Sequence, residues 1–252
     1  MPRYGRFPAF AAIIAVFLVI SGLKTPAAYP SPYDTVEEPP ASAPRGDVFL
    51  RGKDYENAIK AYQKALKEHG DAADLHYNLG LAYAGLGRYR EALVSFQEAV
   101  RLSPTWGQAL VSLGAAHLKV KNYREAGEVL KKALDYHPED AEALYLLGLA
   151  YGRQNRHQEA GEAFAQALRL KPDHQQAQKN LGMANLKLER WDEAGEAFQK
   201  AVLLKPDDPE ARLGLCAYYF KKGDRQAAAR EYKKLEELDK DLAKQLADLI
   251  NK

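Results

Sequence analysis

The stretch AEALYLLGLAYGRQNRHQEAGEAFAQALRLKPDH, from Ala141 to His174, recurs along this chain at a fixed interval. Shifted forward by 34 residues, Leu147-Gly148 becomes Leu181-Gly182, and the run EAGEAF at Glu159 reappears at Glu193. Earlier copies of the LG pair stand at Leu113-Gly114 and Leu79-Gly80. A period of this length indicates a stacked array of repeats, in which each unit packs on its neighbours.

Five consecutive blocks share residue types at fixed block positions. The blocks open at Ala73, Gly107, Ala141, Gln175 and Pro209. Position 8 is small, at Gly80, Gly114, Gly148, Gly182 and Cys216. Position 20 is alanine, at Ala92, Ala126, Ala160, Ala194 and Ala228. Position 24 is large and apolar, at Phe96, Leu130, Phe164, Phe198 and Tyr232. Position 32 is proline in the first four blocks, at Pro104, Pro138, Pro172 and Pro206.

These positions resemble the tetratricopeptide (TPR) pattern L-G-x2-Y…A-x3-F…P. Two departures stand out: no block has the family's Trp at position 4, and the usual Tyr at position 11 is His117 in one block and Asn185 in another. The resemblance implies an all-α fold, an α-solenoid of TPR helix–turn–helix repeats forming a right-handed superhelix.

The residue pattern predicts helix pairs independently of the family name. Positions 7, 8 and 11 share one face of a first helix, and positions 20, 24 and 27 share one face of a second. Small residues at positions 8 and 20 allow close backbone approach, and the large residue at position 24 fills the space beside them. Proline at position 32 ends each block. Turn signals separate the two helices at Leu86-Gly87-Arg88, Lys121-Asn122, Gln154-Asn155 and Lys222-Gly223-Asp224.

The 34-residue frame also fixes the predicted domain organisation. Five repeats occupy residues 73–106, 107–140, 141–174, 175–208 and 209–242. A truncated first repeat, 47–72, precedes them, with helical structure expected over Asp47–Arg51 and Tyr55–Lys67. A C-terminal capping helix is expected over 243–252, where Leu246, Leu249 and Ile250 continue an apolar stripe.

The first 46 residues lack the repeat pattern and have a different composition. Arg3 and Arg6 precede an uncharged apolar run from Phe7 to Leu23, so residues 1–23 are predicted to be a targeting segment, either an uncleaved signal-anchor that inserts in the membrane or a cleaved signal peptide. Positive charge before the run favours a cytoplasmic N-terminus, which places the array outside the cytoplasm, or in the secreted fraction if the signal is cleaved. Residues 24–46 contain six prolines and are predicted to be a Pro-rich disordered linker.

Composition and motifs argue against catalysis. The formal net charge of +2 indicates neither nucleic acid nor an acidic substrate as partner. The six histidines fall at unrelated block positions without ligand spacing, so no metal is expected. Cys216, the single cysteine, stands where other blocks have glycine and is interpreted as a packing residue. The sequence has no Gly-rich phosphate loop and no nucleophile motif, so neither an enzyme activity, a cofactor nor a small-molecule substrate is predicted.

The residues expected to bind a partner lie at positions 2, 5, 9, 12 and 13, which line the concave groove in the TPR family. The apolar and basic residues there are Tyr77, Leu81, Val111, Leu118, Lys119, Tyr145, Leu149, Arg153, Lys179, Met183, Leu186, Lys187, Leu213, Phe220 and Lys221. A second apolar face on a helix is either buried by neighbouring first helices or exposed for a partner. Position 13 is basic in four successive blocks, which predicts a partner segment with apolar anchors and acidic residues, or a solvated face alone.

A two-carboxylate clamp for chaperone C-termini, known from some TPR proteins, is absent, because Lys179 at position 5 is followed by Met183 at position 9. We therefore expect a non-catalytic protein–protein interaction scaffold in a bacterial-type envelope. The alternatives are a structural component that self-associates through its truncated first repeat, or an accessory subunit of a secretion, pilus or envelope-assembly complex.

Overall fold

The computed structural model describes residues 45–69 and 72–250, which are helical apart from short turns. The predicted targeting segment, 1–23, and nearly all of the predicted linker, 24–46, lie outside the described residues. The helices are α1 Arg45–Arg51, α2 Tyr55–His69, α3 Ala73–Gly85, α4 Tyr89–Leu102, α5 Gly107–Lys119, α6 Tyr123–Tyr136, α7 Ala141–Arg153, α8 His157–Leu170, α9 Gln175–Lys187, α10 Trp191–Leu204, α11 Pro209–Lys222, α12 Arg225–Leu238 and α13 Lys240–Ile250. Within these ranges no helix combines the length and the apolar character needed to cross a bilayer.

The described chain divides into two compact units. Residues 45–155 form one unit, which holds α1 to α7, and residues 156–250 form the other, which holds α8 to α13. In each unit, helices that follow one another along the chain pack together.

Every turn from a first to a second helix uses a left-handed residue at block position 15. These residues, with φ between 58° and 77°, are Lys53, Gly87, Lys121, Asn155, Glu189 and Gly223. The sequence signals predicted turns at four of these places from Gly or Asn, and the predicted helix bounds left a break around Lys53 between Arg51 and Tyr55. They missed Glu189, whose turn contains neither residue, because the packing of the flanking helices imposes the turn against the local preference.

The small residues at position 8 contact the large residues at position 24, as predicted. A Cβ atom on Gly80 would lie 2.6 Å from Cε1 of Phe96, and one on Gly114 would lie 2.6 Å from Cγ of Leu130. Any side chain at these glycines would therefore displace the large side chain at position 24.

Phe198 extends this contact between blocks. Its ring lies between two first helices, and a Cβ atom would lie 2.9 Å from the ring if added to Gly182 and 2.6 Å from it if added to Gly214. Phe198 is fully buried at the centre of the core of unit 156–250, together with Leu213, Leu235 and Leu246.

The truncated repeat is slightly longer than expected, because α1 begins at Arg45, two residues before the predicted start. Gly46 takes position 8 beneath the ring of Tyr62. The Tyr62 hydroxyl donates a hydrogen bond of 2.5 Å to Oδ1 of Asp47, and Nδ2 of Asn78 donates one of 3.3 Å to the same oxygen. One carboxylate therefore joins α1, α2 and α3, which accounts for tyrosine rather than phenylalanine at position 24 of this repeat.

The C-terminal helix α13 begins at Lys240, three residues before the predicted cap. Leu242, Ala243 and Leu246 are buried against the last repeat. These contacts cover apolar surface that a further repeat would otherwise bury.

Candidate partner-binding face

The predicted binding residues lie on successive first helices, and each unit carries its own set. In unit 45–155 the set lies on α3, α5 and α7, of which α5 and α7 touch directly. In unit 156–250 it lies on α9 and α11, which also touch. We call these two surfaces the first-helix faces.

On the first-helix face of unit 45–155, the aliphatic side chains remain accessible. Leu81, Val111, Leu118 and Leu149 are half-buried, as is Lys119, and Arg153 is exposed. Tyr77 and Tyr145, by contrast, are only 4% and 5% exposed. The two tyrosines therefore do not supply the open contact area that the sequence suggested.

Tyr77 is buried because other aromatic residues cover it. Its ring centroid lies 4.6 Å from that of Trp106 and 5.7 Å from that of Phe96. Burial raises the pKa of the Tyr77 phenol, and the hydroxyl of Ser112 donates a long hydrogen bond of 3.4 Å to it. Tyr77 thus joins α3 to the next repeat instead of facing a partner.

On the first-helix face of unit 156–250, three predicted contact residues are buried. Leu213 and Leu186 belong to the core, and Lys179 is nearly inaccessible. Met183, Phe220 and Lys187 are half-buried, and Lys221 is exposed. The accessible apolar part of this face is therefore smaller than the sequence implied.

Lys179 is held by two carboxylates of its own unit. Its Nζ lies 3.0 Å from Oδ2 of Asp208 and 2.8 Å from Oε2 of Glu210. Asp208 also accepts hydrogen bonds from Nε2 of Gln175, at 3.0 Å, and from the backbone N–H of Ala211, at 2.8 Å, which caps α11. Lys179 thus links α9 to α11 and does not offer a charge to a partner.

The electrostatics of this cluster follow from burial and pairing. Loss of hydration alone would raise the pKa of Asp208, but Lys179 and the hydrogen bonds to the carboxylate lower it overall. For Lys179 the same loss of hydration would lower the pKa, and Glu210 with Asp208 raises it instead. Both groups are therefore held in their charged forms.

The basic residues at position 13 contact the aromatic residue at position 17 of the preceding block. Nζ of Lys119 lies 5.5 Å from the ring centroid of Tyr89, and Nζ of Lys221 lies 5.1 Å from that of Trp191. In the first block position 13 is Gly85, and a Cβ atom there would lie 2.5 Å from Cε1 of Tyr55.

For Lys187, also at position 13, the residue at position 17 of the preceding block is a histidine, His157. Burial is the main cause of the lowered pKa of His157, and the nearby charge of Lys187 lowers it further. Burial also lowers the pKa of Lys187 and of Lys119. The basic row is therefore partly used in contacts between repeats, and the aromatic residues recurring at position 17 were the sequence signal for it.

Two further polar side chains, those of His117 and Cys216, are buried inside the repeats. Nδ1 of His117 has no hydrogen-bond partner within the described ranges, and burial lowers the pKa of this imidazole. Burial, with Glu231 nearby, raises the pKa of the Cys216 thiol to about 12, so it is not a nucleophile at neutral pH. No group of His, Cys, Asp and Glu side chains among residues 45–69 and 72–250 is arranged to hold a metal ion.

Helix pairs repeated every 34 residues, with glycine packed beneath a large apolar residue, define a tetratricopeptide-repeat protein. The chain belongs to the family described as "Cilia and flagella-associated protein 70 C-terminal domain", whose model matches residues 21–249. No curated protein sequence matches the chain significantly.

Solved TPR structures resemble it over most of their length. The crystal structure of MamA shares 28% identity over 68% of this chain and 97% of that chain, with a TM-score of 0.61. MamA from residue 41 onward, from Desulfovibrio magneticus RS-1, shares 30% identity over 65% of this chain and 92% of that chain, with the same TM-score. YrrB, described as a TPR protein with an unusual peptide-binding site, shares 22% identity over 75% of this chain and 99% of that chain, with a TM-score of 0.64, which shows a common fold. The fold is that of a protein-interaction scaffold, and none of these comparisons indicates an enzymatic family.

Proposed function

We propose that the first-helix face of unit 45–155 binds an extended or helical segment of another protein in a bacterial-type envelope. The observation that carries the proposal is the set of four half-buried aliphatic side chains, Leu81, Val111, Leu118 and Leu149, on three successive first helices. Half-buried aliphatic residues at helical spacing provide contact area that a partner segment can desolvate.

The charge of the partner segment follows from the rim of this face. Arg153 is exposed and Lys119 is half-buried, and both lie at position 13 beside the aliphatic residues. Exposed rim charges act mainly on the rate of association and on its salt dependence. The segment that fits best therefore combines apolar anchors with acidic residues. The peptide-binding site named for YrrB supports a peptide ligand only by analogy of fold.

Selection from a displayed library of random peptides on the purified full chain tests this function. We expect the selected sequences to combine aliphatic or aromatic residues with aspartate or glutamate. Leu149→Ala should weaken their binding about tenfold, because it removes aliphatic contact area from the face. Val94→Ala is the matched control, because Val94 is exposed on the second helix α4, away from the face. Equal binding by the parent and Leu149→Ala would contradict the assignment.

A charge variant separates steering from contact. Arg153→Glu should slow association with the selected peptides and flatten its salt dependence, while the dissociation rate changes little. If Arg153→Glu associates as fast as the parent at low salt, the basic rim is a solvated face and has no part in recognition.

We also propose, on the sequence alone, that the array lies outside the cytoplasm and that residues 1–23 attach it to the membrane. Arg3 and Arg6 before the apolar run support this orientation. Mass spectrometry of the native protein should find Met1 or Pro2 at the N-terminus. A mature start after residues 21–28 would mean that the segment is a cleaved signal and the protein is secreted.

A further inference from the structure

The two rows of turns in unit 45–155 carry opposite charge. The "AB edge" consists of the turns that join each first helix to its second helix, around residues 53, 87, 121 and 154. The "BA edge" consists of the described ends of α2 and α3, up to residue 69 and from residue 72, and of the turns that join a second helix to the next first helix around residues 105 and 139. Full-length first helices of 13 residues separate the two edges by about 20 Å.

The polarity appears when the charged residues around each turn are counted within the unit. Residues 50–57, 84–91, 118–125 and 152–155 of the AB edge hold eight Lys or Arg and four Asp or Glu. The described residues of the BA-edge windows 67–74, 101–108 and 135–142 hold two Lys or Arg and six Asp or Glu. In unit 156–250 the corresponding windows are nearly balanced. The turns from first to second helices hold six Lys or Arg and five Asp or Glu, and the turns from second to first helices hold five Lys or Arg and seven Asp or Glu. The polarity is therefore a property of unit 45–155.

Four basic residues of the AB edge occupy positions that the backbone conformation or the helix dipole disfavours. Lys53 and Lys121 occupy the left-handed position, with φ of 58° and 66°, which Gly87 takes in the block between them. Arg90 and Arg124 are the second residues of α4 and α6, where the helix dipole disfavours a cation. Helix formation thus does not explain these four charges.

One carboxylate of the BA edge also lies where the helix disfavours its charge. Asp135 lies in the last turn of α6, where the helix dipole disfavours a carboxylate. Glu139 is exposed in the loop before α7. Asp140, by contrast, has a local role, because its Oδ1 accepts hydrogen bonds of 2.9 Å from the backbone N–H groups of Glu142 and Ala143. Asp135 and Glu139 therefore mark the acidic surface more clearly than Asp140.

We infer that the AB edge of one molecule docks against the BA edge of a second copy of this chain. The AB edge has four more basic than acidic residues, and the BA edge has four more acidic than basic residues, most of them within residues 135–142, so each copy carries the complement of the other. Because the two surfaces differ, the contact is heterologous and can propagate into an open row of molecules. The interaction uses the turns, and the aliphatic residues of the first-helix face stay accessible to a partner, while Lys119 and Arg153 belong to both surfaces.

Charge-reversal variants of the full chain test this contact. The AB variant carries Arg90→Glu, Lys121→Glu and Arg124→Glu, all at exposed residues. The Arg124–Glu128 ion pair that it breaks is a surface pair, with side chains 83% and 64% exposed, and contributes little stability.

The BA variant carries Glu68→Lys, Asp135→Lys and Glu139→Lys, also at exposed residues. The control variant carries Arg169→Glu, Lys171→Glu and Lys205→Glu, which make the same charge change as the AB variant but lie on exposed residues of unit 156–250. Circular dichroism and thermal unfolding should show that all three variants keep the fold.

Sedimentation velocity measures the association. A non-ionic detergent in every sample prevents association through the apolar run near the N-terminus, which the parent and all variants share. The parent and the control variant should self-associate at low salt, and about tenfold more weakly at physiological ionic strength, where the Debye length is about 8 Å. The AB and BA variants should each remain monomeric alone and should associate when mixed, because one then has two acidic edges and the other has two basic edges.

Two results would overturn the inference. One is a parent protein that shows no salt-sensitive association. The other is an equimolar mixture of the AB and BA variants that remains monomeric, which would mean that the basic edge serves an acidic partner of a different kind. Peptide binding at the first-helix face is measured separately in the same variants, so its loss would not be confused with loss of self-association.

Discussion

Nζ of Lys221 lies 5.1 Å from the centroid of the Trp191 ring, which belongs to the preceding repeat. The same positions in other repeats bring Lys119 over Tyr89 and Lys187 beside His157. Position 13 therefore contributes to the joint between repeats as well as to the rim of the binding face.

Substituting the histidine in this series should strengthen the joint. We expect His157→Trp to give Lys187 an aromatic face and to raise the free energy of unfolding by about 0.5–1 kcal/mol, the usual size of an exposed cation–π contact. A double-mutant cycle with Lys187→Met, followed by urea denaturation, measures the coupling between the two side chains. Unchanged coupling in the tryptophan background would contradict the prediction.

Three glycines at position 21, inside the second helices, should respond differently to alanine. A Cβ atom on Gly161 would meet nothing closer than 3.9 Å, and one on Gly127 nothing closer than 3.7 Å, whereas one on Gly195 would lie 2.6 Å from Cδ2 of Tyr218. Gly127→Ala and Gly161→Ala should therefore stabilise the protein by about 0.5–1 kcal/mol through helix propensity. Gly195→Ala should destabilise it, and Tyr218→Ala should relieve that loss. Urea midpoints of the four variants provide the measurement, and a stabilising Gly195→Ala would show that the tyrosine ring moves freely.

Glycine should be favourable at the left-handed turn residues that carry side chains. Glu189, with φ of 58°, is exposed, so its side chain contributes little packing to offset the backbone strain. We expect Glu189→Gly to raise the free energy of unfolding by about 1 kcal/mol, the lower end of the cost of a left-handed non-glycine residue. Glu189→Ala is the matched control and should give no gain, since alanine has the same steric conflict. Equal unfolding midpoints for the glycine and alanine variants would refute the argument.

Protonation of His117 should destabilise the fold. Burial lowers its pKa below the ordinary value of about 6.5, and only Glu125 opposes this shift. The unfolded chain therefore binds the proton more tightly, so stability is fully present above pH 6.5 and is lost as the pH falls through 6.5 towards the lower folded pKa. His117→Tyr, which restores the family's residue at position 11, should reduce this pH dependence. Unfolding midpoints between pH 7.5 and 5 measure it, with His76→Tyr as a control at a less buried histidine.

Removing one partner of the Lys179 cluster should be costly. Lys179→Met leaves Asp208 in a buried site without its cation, and loss of one member of a buried pair typically costs about 3–5 kcal/mol. Lys179→Met combined with Asp208→Asn should recover part of that loss, because the amide still caps α11 and carries no charge. Thermal unfolding of the single and double variants tests this, and an additive double variant would show that the two groups are not coupled.

The sequence predicted the parts of this fold that depend on periodic spacing. The contact between position 8 and position 24 followed from residue size and period alone, and the structure confirms it at Gly80 and Phe96. The absence of Trp at position 4 did not disturb the arrangement. In the last repeat Arg212 takes that place and pairs with Glu231 at 2.6 Å.

The binding face was predicted less completely, because a period shows which residues share a helix face but not which long side chains meet across repeats. Lys179 and Asp208 are 29 residues apart, and an aspartate before a helix indicates a cap rather than an ion pair. Tyr77 was expected to be accessible, but Trp106 covers it from the loop before the next first helix. Such contacts depend on side-chain direction across two helices, which the repeat pattern leaves open.

The ring of Phe198, between Gly182 and Gly214, limits which amino-acid substitutions can accumulate at these three positions during evolution. The two glycines have no smaller residue to change to, and any larger one would displace the ring. Of the three positions, therefore, only position 198 can accept a substitution without a clash, by exchanging the ring for a smaller side chain. Leu130 opposite Gly114 already shows that a leucine fits the equivalent place. Among related sequences we expect substitutions at position 198 to outnumber those at positions 182 and 214.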